Sequence, residues 1–168
     1  MSKPQIRTLV IGLGNPLMAD DGAGVAVLER LRADWDIPPE VELIDGGTWG
    51  MNLLPMVEST HDLILVDAIR SGAVPGALTV LERSELPRYF ALKLSPHQID
   101  LREILALAEL RGLLPENLVA IGIEPERVEM EMGLSPRVSA GLTKLADLVV
   151  ERLEWAGHRC RRRMPVYA

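Results

Sequence analysis

Three features of the sequence carry side chains suited to catalysis or to metal binding. The pair Asp20-Asp21 lies in a predicted loop, Asp67 follows an apolar run, and His97 stands near the start of a predicted helix. Two carboxylates and one imidazole form a mixed oxygen and nitrogen ligand set that suits zinc, nickel or another divalent first-row metal. Three protein ligands would leave positions open for water or for a group of the substrate. Because long stretches of chain separate these residues, no local metal-binding motif is present, and the fold has to bring them together.

Each of these residues also has an ordinary structural interpretation. Either Asp20 or Asp21 could cap the first helix, a common arrangement worth about 0.5–2 kcal/mol. We expect one of the two to do so, and Asp21 to be the one that stays free. Asp67 could form a turn at the end of its strand, and His97 could be an exposed surface residue. From the residues alone, both interpretations of each position stay open.

The elements that must position these side chains form an α/β pattern. Residues 9–25 predict a short strand, a loop that breaks at Gly12 and Gly14, and a helix with apolar residues on one face. The predicted strands cover residues 6–12, 41–45, 62–67, 77–81 and 117–123, and the predicted helices cover 24–33, 51–57, 136–156 and a segment that begins at Ser95. Residues 84–95 show no firm pattern and are expected to form a flexible loop.

These elements predict a three-layer α/β/α fold around a twisted, mostly parallel five-stranded sheet. The strand at 77–81 is expected to be antiparallel, because only a short link leads to it. The strand at 62–67 carries four consecutive apolar residues, which is typical of a strand buried on both faces. Parallel sheets bind ligands at the carboxyl ends of their strands, where the Asp20-Asp21 loop and Asp67 are expected.

Composition narrows the class of protein. The 168 residues carry a net charge of −6, which argues against a nucleic-acid partner, and no apolar run near the start is long enough for a signal sequence or a membrane span. A single cysteine excludes an intramolecular disulfide and indicates the cytoplasm. We expect a monomer with one domain over residues 1–157. The basic tail at 158–168, with four arginines, is expected to be a frayed, solvated end.

The remaining histidines and the cysteine are interpreted as structural residues. His61 precedes a strand and His158 lies near the tail. Cys160 lies between arginines, which could lower the pKa of its thiol, but it has no partner base and is a poor candidate for a nucleophile. The dinucleotide-binding fingerprint is excluded, since Leu17 stands where that motif needs its third glycine. Neither a Walker lysine nor a Gly-x-Ser-x-Gly elbow is present.

Several motifs in order resemble those of the hydrogenase maturation endopeptidases. They are Gly-Leu-Gly-Asn-Pro at 12–16, Asp-Asp-Gly-Ala-Gly-Val at 20–25, Asp-Gly-Gly-Thr at 45–48, Val-Asp-Ala at 66–68, Ser-Pro-His-Gln at 95–98 and Ile-Gly-Ile-Glu-Pro at 121–125. The resemblance covers nearly the whole chain and implies a protease that removes a short C-terminal extension from the large-subunit precursor of a nickel–iron hydrogenase, after nickel insertion. It implies a metal-binding triad of Asp21, Asp67 and His97, and it associates Asp45 with cleavage.

On this interpretation the nickel is presented by the substrate, where cysteines already hold it, and zinc or cadmium could substitute for it. An empty substrate would offer the triad nothing to bind, so nickel loading would control cleavage. Two alternatives stay open. A non-catalytic nickel-sensing docking protein or chaperone could use the same three residues. A peptidyl-tRNA hydrolase-like enzyme shares Gly-Leu-Gly-Asn-Pro, but it continues into a histidine-asparagine segment where this chain has Asp20-Asp21.

Overall fold

The computed structural model describes residues 8–47, 50–92 and 99–166. Its strands are β1 (Thr8–Gly12), β2 (Trp35–Asp36), β3 (Val41–Asp45), β4 (Asp62–Ala68), β5 (Leu78–Glu82), β6 (Asn117–Ile123) and β7 (Arg161–Arg162). Its α-helices are α1 (Ala23–Asp34), α2 (Leu53–Glu58), α3 (Leu86–Ala91), α4 (Ile99–Leu110) and α5 (Pro136–Trp155). Three 3-10 helices lie at Ala19–Gly22, Gly50–Asn52 and Arg83–Glu85.

Five of the strands form one sheet in the order β3-β1-β4-β6-β5. The first four run parallel to one another, and β5 pairs antiparallel with β6. The predicted fold class is therefore confirmed, including the one antiparallel strand. The predicted strands at 41–45 and 117–123 coincide with β3 and β6.

Helices cover both faces of this sheet and bury two hydrophobic cores. On one face α1 and α5 pack against alternate residues of the strands, among them Val10, Ile64 and Ile121. On the other face α2, α3 and α4 pack against the intervening residues, among them Ile11, Leu65 and Ala120. This division follows from the pleat, which directs successive side chains of a strand to opposite faces. Within the described residues, no helix combines the length and the hydropathy that a membrane span needs.

The final helix follows its prediction closely. Ser135 is its N-cap residue, with its side-chain oxygen accepting from the backbone N–H of Val138 at 3.4 Å, and Pro136 occupies the first turn. Proline is favoured there because the first N–H groups of a helix have no partner within it. The helix ends at Trp155, one residue before the predicted end.

The prediction of a flexible loop over residues 84–95 is wrong for its described part. A capping box joins Glu82 and Glu85, with the Glu82 N–H donating to the Glu85 carboxylate at 2.9 Å, and α3 follows. Tyr89 on this short helix is fully buried against the sheet. One aromatic side chain thus anchors a helix too short to show a period in the sequence. The predicted helix start at 95–98 lies outside the described residues.

The expectation of a frayed tail does not describe residues 158–163. Strand β7 pairs antiparallel with β2 in a two-stranded ribbon. The Arg162 guanidinium lies 5.6 Å from the centre of the Trp35 ring, and Arg163 Nε donates to Asp36 Oδ1 at 2.8 Å. Arginine side chains can stack on aromatic rings as well as form ion pairs, so a run of arginines need not be a solvated end.

Candidate functional site

Asp21 lies on the 3-10 helix between β1 and α1, at the carboxyl edge of the sheet. Its side chain is buried, and Oδ2 accepts a hydrogen bond from the backbone N–H of Asn15 at 2.8 Å. Gly14 precedes this contact with a φ of 111°, and a Cβ there would lie 1.7 Å from the Asp21 carbonyl oxygen. Only glycine therefore lets the loop close against Asp21.

Asp20 has a different role from the one expected of it. Its Oδ2 accepts hydrogen bonds from the N–H groups of Glu126 and Arg127, at 2.9 and 3.0 Å, and from the Ser135 hydroxyl at 2.9 Å. Its Oδ1 accepts from the Ser135 N–H at 2.7 Å. Helix α1 has Gly22 as its N-cap residue, with no side-chain cap hydrogen bond, so the prediction that one aspartate caps the helix is wrong.

The hydrogen bonds to Asp20 decide its charge state. Burial by itself would raise the pKa of the carboxyl group, but the hydrogen bonds from Arg127, Ser135 and Glu126 together outweigh it. The pKa of Asp20 is therefore lowered from its usual value, and the group stays ionised. Asp20 joins the loop that carries Asp21 to the segment that follows β6.

Asp67 lies near the end of β4 and is also buried. The Tyr89 hydroxyl donates a hydrogen bond to Asp67 Oδ2 at 2.9 Å. Burial, the negative charge of Asp67 and this hydrogen bond all raise the pKa of Tyr89 well above its usual value, so the phenol keeps its proton and remains the donor. The sequence did not indicate a role for Tyr89, because the apolar residues around it follow neither a helix nor a strand period.

Strand register brings these loops to one edge of the sheet. Gly12 of β1 pairs with Asp45 of β3 on one side and with Val66 of β4 on the other. Adjacent strands lie about 4.8 Å apart, so Asp45 is two strands, or about 10 Å, from the end of β4. Asp45 is partly exposed, and its Oδ1 accepts from the Gly47 N–H at 2.9 Å.

The start of α1 lies directly against β4. A Cβ on Gly24 would lie 2.2 Å from the Val66 carbonyl oxygen, and that same oxygen accepts from the Leu13 N–H at 2.8 Å. The 3-10 helix that carries Asp21 also contacts β4. Asp21 and Asp67 therefore belong to neighbouring segments at the same edge.

His97 lies outside the described residues, so the predicted triad stays a prediction. Helix α4 runs from Ile99 to Leu110, and the chain then leads to the amino end of β6, so Ile99 is at the end of the helix nearer the carboxyl ends of the strands. Its buried residues belong to the same core as Tyr89. Among the residues that the structure describes, no group of three or more histidine, cysteine, aspartate or glutamate side chains is arranged to hold a metal ion.

The two described histidines have structural partners. His158 is buried, and its Nε2 lies 2.6 Å from the Thr8 hydroxyl oxygen. His61 is exposed and lies within hydrogen-bond distance of Asp62 and Glu116, at 3.1 and 2.9 Å. The hydrogen bond and charge of Asp62, followed by the hydrogen bond to Glu116, raise the pKa of His61.

Cys160 differs from the expectation drawn from its arginine neighbours. Burial raises the pKa of its thiol, and the negative charge of Glu154 raises it further. The arginines therefore do not produce a reactive thiolate here, because burial disfavours the charged form.

Comparison with known proteins gives consistent results. The family model described as hydrogenase maturation protease matches residues 25–152. The hydrogenase 2 maturation protease of Escherichia coli is 37% identical over 153 residues, which cover 90% of this chain and 93% of that protein. The hydrogenase expression/formation protein HupD of Thiocapsa roseopersicina is 38% identical over 164 residues, covering 96% of this chain and 73% of its own.

Solved structures show the same likeness. The hydrogenase-maturating endopeptidase HybD of E. coli aligns with a TM-score of 0.87 at 37% identity, over 94% of this chain and 98% of that one. The [NiFe] hydrogenase maturation protease HybD of Thermococcus kodakarensis aligns with a TM-score of 0.67 at 25% identity, over 87% and 98% of the two chains.

Proposed function

The chain belongs to the hydrogenase maturation protease family, and from this membership we propose that it removes the C-terminal extension of the large-subunit precursor of a nickel–iron hydrogenase. The structural observation that carries the proposal is the placement of two buried carboxylates, Asp21 and Asp67, at the carboxyl ends of neighbouring parallel strands. Ligands bind at this edge in α/β sheets.

The proposed contact with the substrate is a nickel ion that the precursor already holds. Asp21, Asp67 and His97 would supply two oxygen ligands and one nitrogen ligand, a set suited to nickel. Each carboxylate accepts a hydrogen bond through Oδ2, from the Asn15 N–H and the Tyr89 hydroxyl respectively, and these bonds fix its orientation.

Nickel in this scheme is part of the substrate and serves for recognition. A precursor without nickel offers the three side chains no ion to bind, so cleavage would wait until nickel has been inserted. Zinc or cadmium could occupy the same ligands in place of nickel. Asp45 and Asp67 lie on strands that flank β1 on opposite sides. We assign Asp45 a role in cleavage and not in binding the metal.

The test uses purified protein with nickel-loaded and nickel-free precursor, and mass spectrometry of the large subunit. We expect loss of C-terminal mass only from the nickel-loaded form. The variant His97→Ala should abolish this loss with an unchanged circular dichroism spectrum, whereas His61→Ala, at an exposed histidine, should cleave normally. Normal processing by His97→Ala would refute the assignment of the triad, and equal cleavage of nickel-free precursor would refute the control by nickel.

The same experiment separates the proposal from a non-catalytic docking protein or chaperone. Such a protein would bind the nickel-loaded precursor and leave its mass unchanged. We also propose that the protein acts as a cytoplasmic monomer that meets its substrate transiently. Sedimentation equilibrium of the purified protein should give the mass of one chain, 18.5 kDa, and a stable dimer would contradict this part.

A further inference from the structure

Three large apolar side chains are exposed to solvent next to the candidate site. They are Leu17, Met130 and Met132, which are 57%, 89% and 79% exposed, and together they are called the docking patch below. Leu17 lies in the loop that leads to Asp21, and the methionines lie in the segment between β6 and α5. Exposed apolar side chains that cluster in this way mark interaction sites more often than scattered ones do.

Backbone hydrogen bonds join the two segments of the patch. The Glu131 N–H donates to the Leu17 carbonyl at 3.1 Å, and the Ala19 N–H donates to the Glu131 carbonyl at 2.7 Å. Glu131 and Met18 form a parallel β-bridge at this point. Leu17 and the two methionines that flank Glu131 are therefore held beside one another.

Asp20 fixes both ends of the segment that contains the two methionines. Its carboxylate accepts from the N–H groups of Glu126 and Arg127 and from both donors of Ser135, so the segment is held before and after the methionines. The Asp20 N–H also donates to the Arg127 carbonyl at 3.2 Å. The segment is thus a fixed part of the surface, although it contains neither a helix nor a strand of the main sheet.

The same loop connects the patch to Asp21. The Asn15 N–H donates to the Asp21 carboxylate, and the Asn15 side-chain oxygen accepts from the Leu17 N–H at 3.0 Å. The Asp21 N–H donates to the Met18 carbonyl at 3.2 Å. A molecule that contacts Leu17 therefore contacts the same loop that carries Asp21, whose carboxylate is the proposed metal ligand.

We propose that the docking patch binds an apolar surface of the folded large-subunit precursor, beside the point where its C-terminal extension enters the site. The inference rests on the proposed function, which makes a folded protein the substrate. Methionine suits such a contact, because its flexible, polarisable side chain adapts to a partner's surface. Around the patch Arg127 forms ion pairs with Glu129 and Glu131, at 4.0 and 3.5 Å. An apolar centre within a polar rim is the usual anatomy of a protein interface.

The test is a double variant, Met130→Gln with Met132→Gln, which keeps the length of both side chains and adds no charge. The matched control is Met164→Gln, because Met164 is 86% exposed and lies in the tail beyond β7. Binding and cleavage of the nickel-loaded, unprocessed precursor are measured with each protein. We expect the double variant to raise Kd and KM by about tenfold or more, the effect of losing an interface hot spot, with kcat changed less than about twofold. The control should match the original protein.

The outcomes separate this inference from the proposed function. If the original protein cleaves the precursor and the double variant does so with an unchanged KM, the docking patch is refuted and the protease function stands. If the original protein binds the precursor without cleaving it, the protease function is refuted, and weaker binding by the double variant still supports the patch. If the double variant changes only the self-association of the protein, measured by sedimentation, the patch contacts a second copy and the inference is wrong.

Discussion

Replacing Asp20 with alanine removes the acceptor of four hydrogen bonds inside the protein. Two of the donors, the N–H and hydroxyl of Ser135, are buried, and leaving them unpaired costs about 1–3 kcal/mol each. The N–H groups of Glu126 and Arg127 are closer to solvent, where water can replace the carboxylate, so each costs about 0.5–1.5 kcal/mol. We expect Asp20→Ala to lower the free energy of unfolding by about 3–5 kcal/mol, since the loop relaxes in part.

The decrease in the free energy of unfolding is measured by urea titration, with tryptophan fluorescence as the signal. The variant Asp20→Asn keeps the shape of the side chain but turns an amide N–H₂ toward the same donors, so it should lose nearly as much stability. Asp36→Ala is the control, because Asp36 pairs with Arg163 at the surface, and an exposed ion pair contributes at most about 1 kcal/mol.

The pH dependence tests the electrostatic part of the argument. The pKa of Asp20 is lowered by folding, so its contribution is complete above the unfolded pKa of about 3.9 and is lost as the pH falls through the lower folded pKa. The difference in stability between the original protein and Asp20→Ala should thus be constant from about pH 7 to 5 and shrink below about pH 4. The reasoning would be refuted if Asp20→Ala lost no more unfolding free energy than Asp36→Ala, or if its loss stayed the same below about pH 4.

Three further predictions concern other contacts. Gly24→Ala should lower the free energy of unfolding by about 1–3 kcal/mol or more, because its Cβ would lie 2.2 Å from the Val66 carbonyl; a Tm equal to that of the original would contradict the close approach. Thr8→Val should lower the free energy of unfolding by about 1–3 kcal/mol, because it removes the hydroxyl beside His158 Nε2. Urea unfolding measures this, and an unchanged midpoint would show that the contact is dispensable. Cys160 should react with iodoacetamide at pH 8 more slowly than free cysteine, because the pKa of its thiol is raised; an equal rate would contradict the raised pKa.

Sequence patterns predicted the elements whose residues repeat over many positions. Strands β3 and β6 and helix α5 were located to within a residue, because their apolar residues follow the strand or helix period and turn or cap residues mark their ends. The same pattern placed Asp21 and Asp67 at the carboxyl edge, as the structure has them. Their joint action with His97 stays a prediction.

Short elements that depend on distant contacts could not be predicted in this way. Helix α3 is six residues long and is anchored by Tyr89, whose partner Asp67 lies 22 residues earlier. Strands β2 and β7 have two residues each and pair with one another although most of the chain lies between them in sequence. A local window contains only one side of such a contact, so the stabilising partner is not visible in it.

The role of Asp20 was missed for the same reason. Its hydrogen-bond donors at Glu126, Arg127 and Ser135 lie 106 to 115 positions later in the chain. An aspartate before a helix is commonly a cap, and the sequence around it offered no sign of another partner. A buried carboxylate that serves a remote loop therefore resembles an ordinary helix cap in sequence.

The contact between Thr8 and His158 has a consequence for how the protein is made. These residues are 150 positions apart, and Thr8 belongs to an interior strand of the sheet. During translation β1 can pair with β3 and β4 long before His158 has been synthesised. The contact at the base of β1 can therefore form only after His158 leaves the ribosome, which is later than the point at which β1 can first pair with its two neighbouring strands.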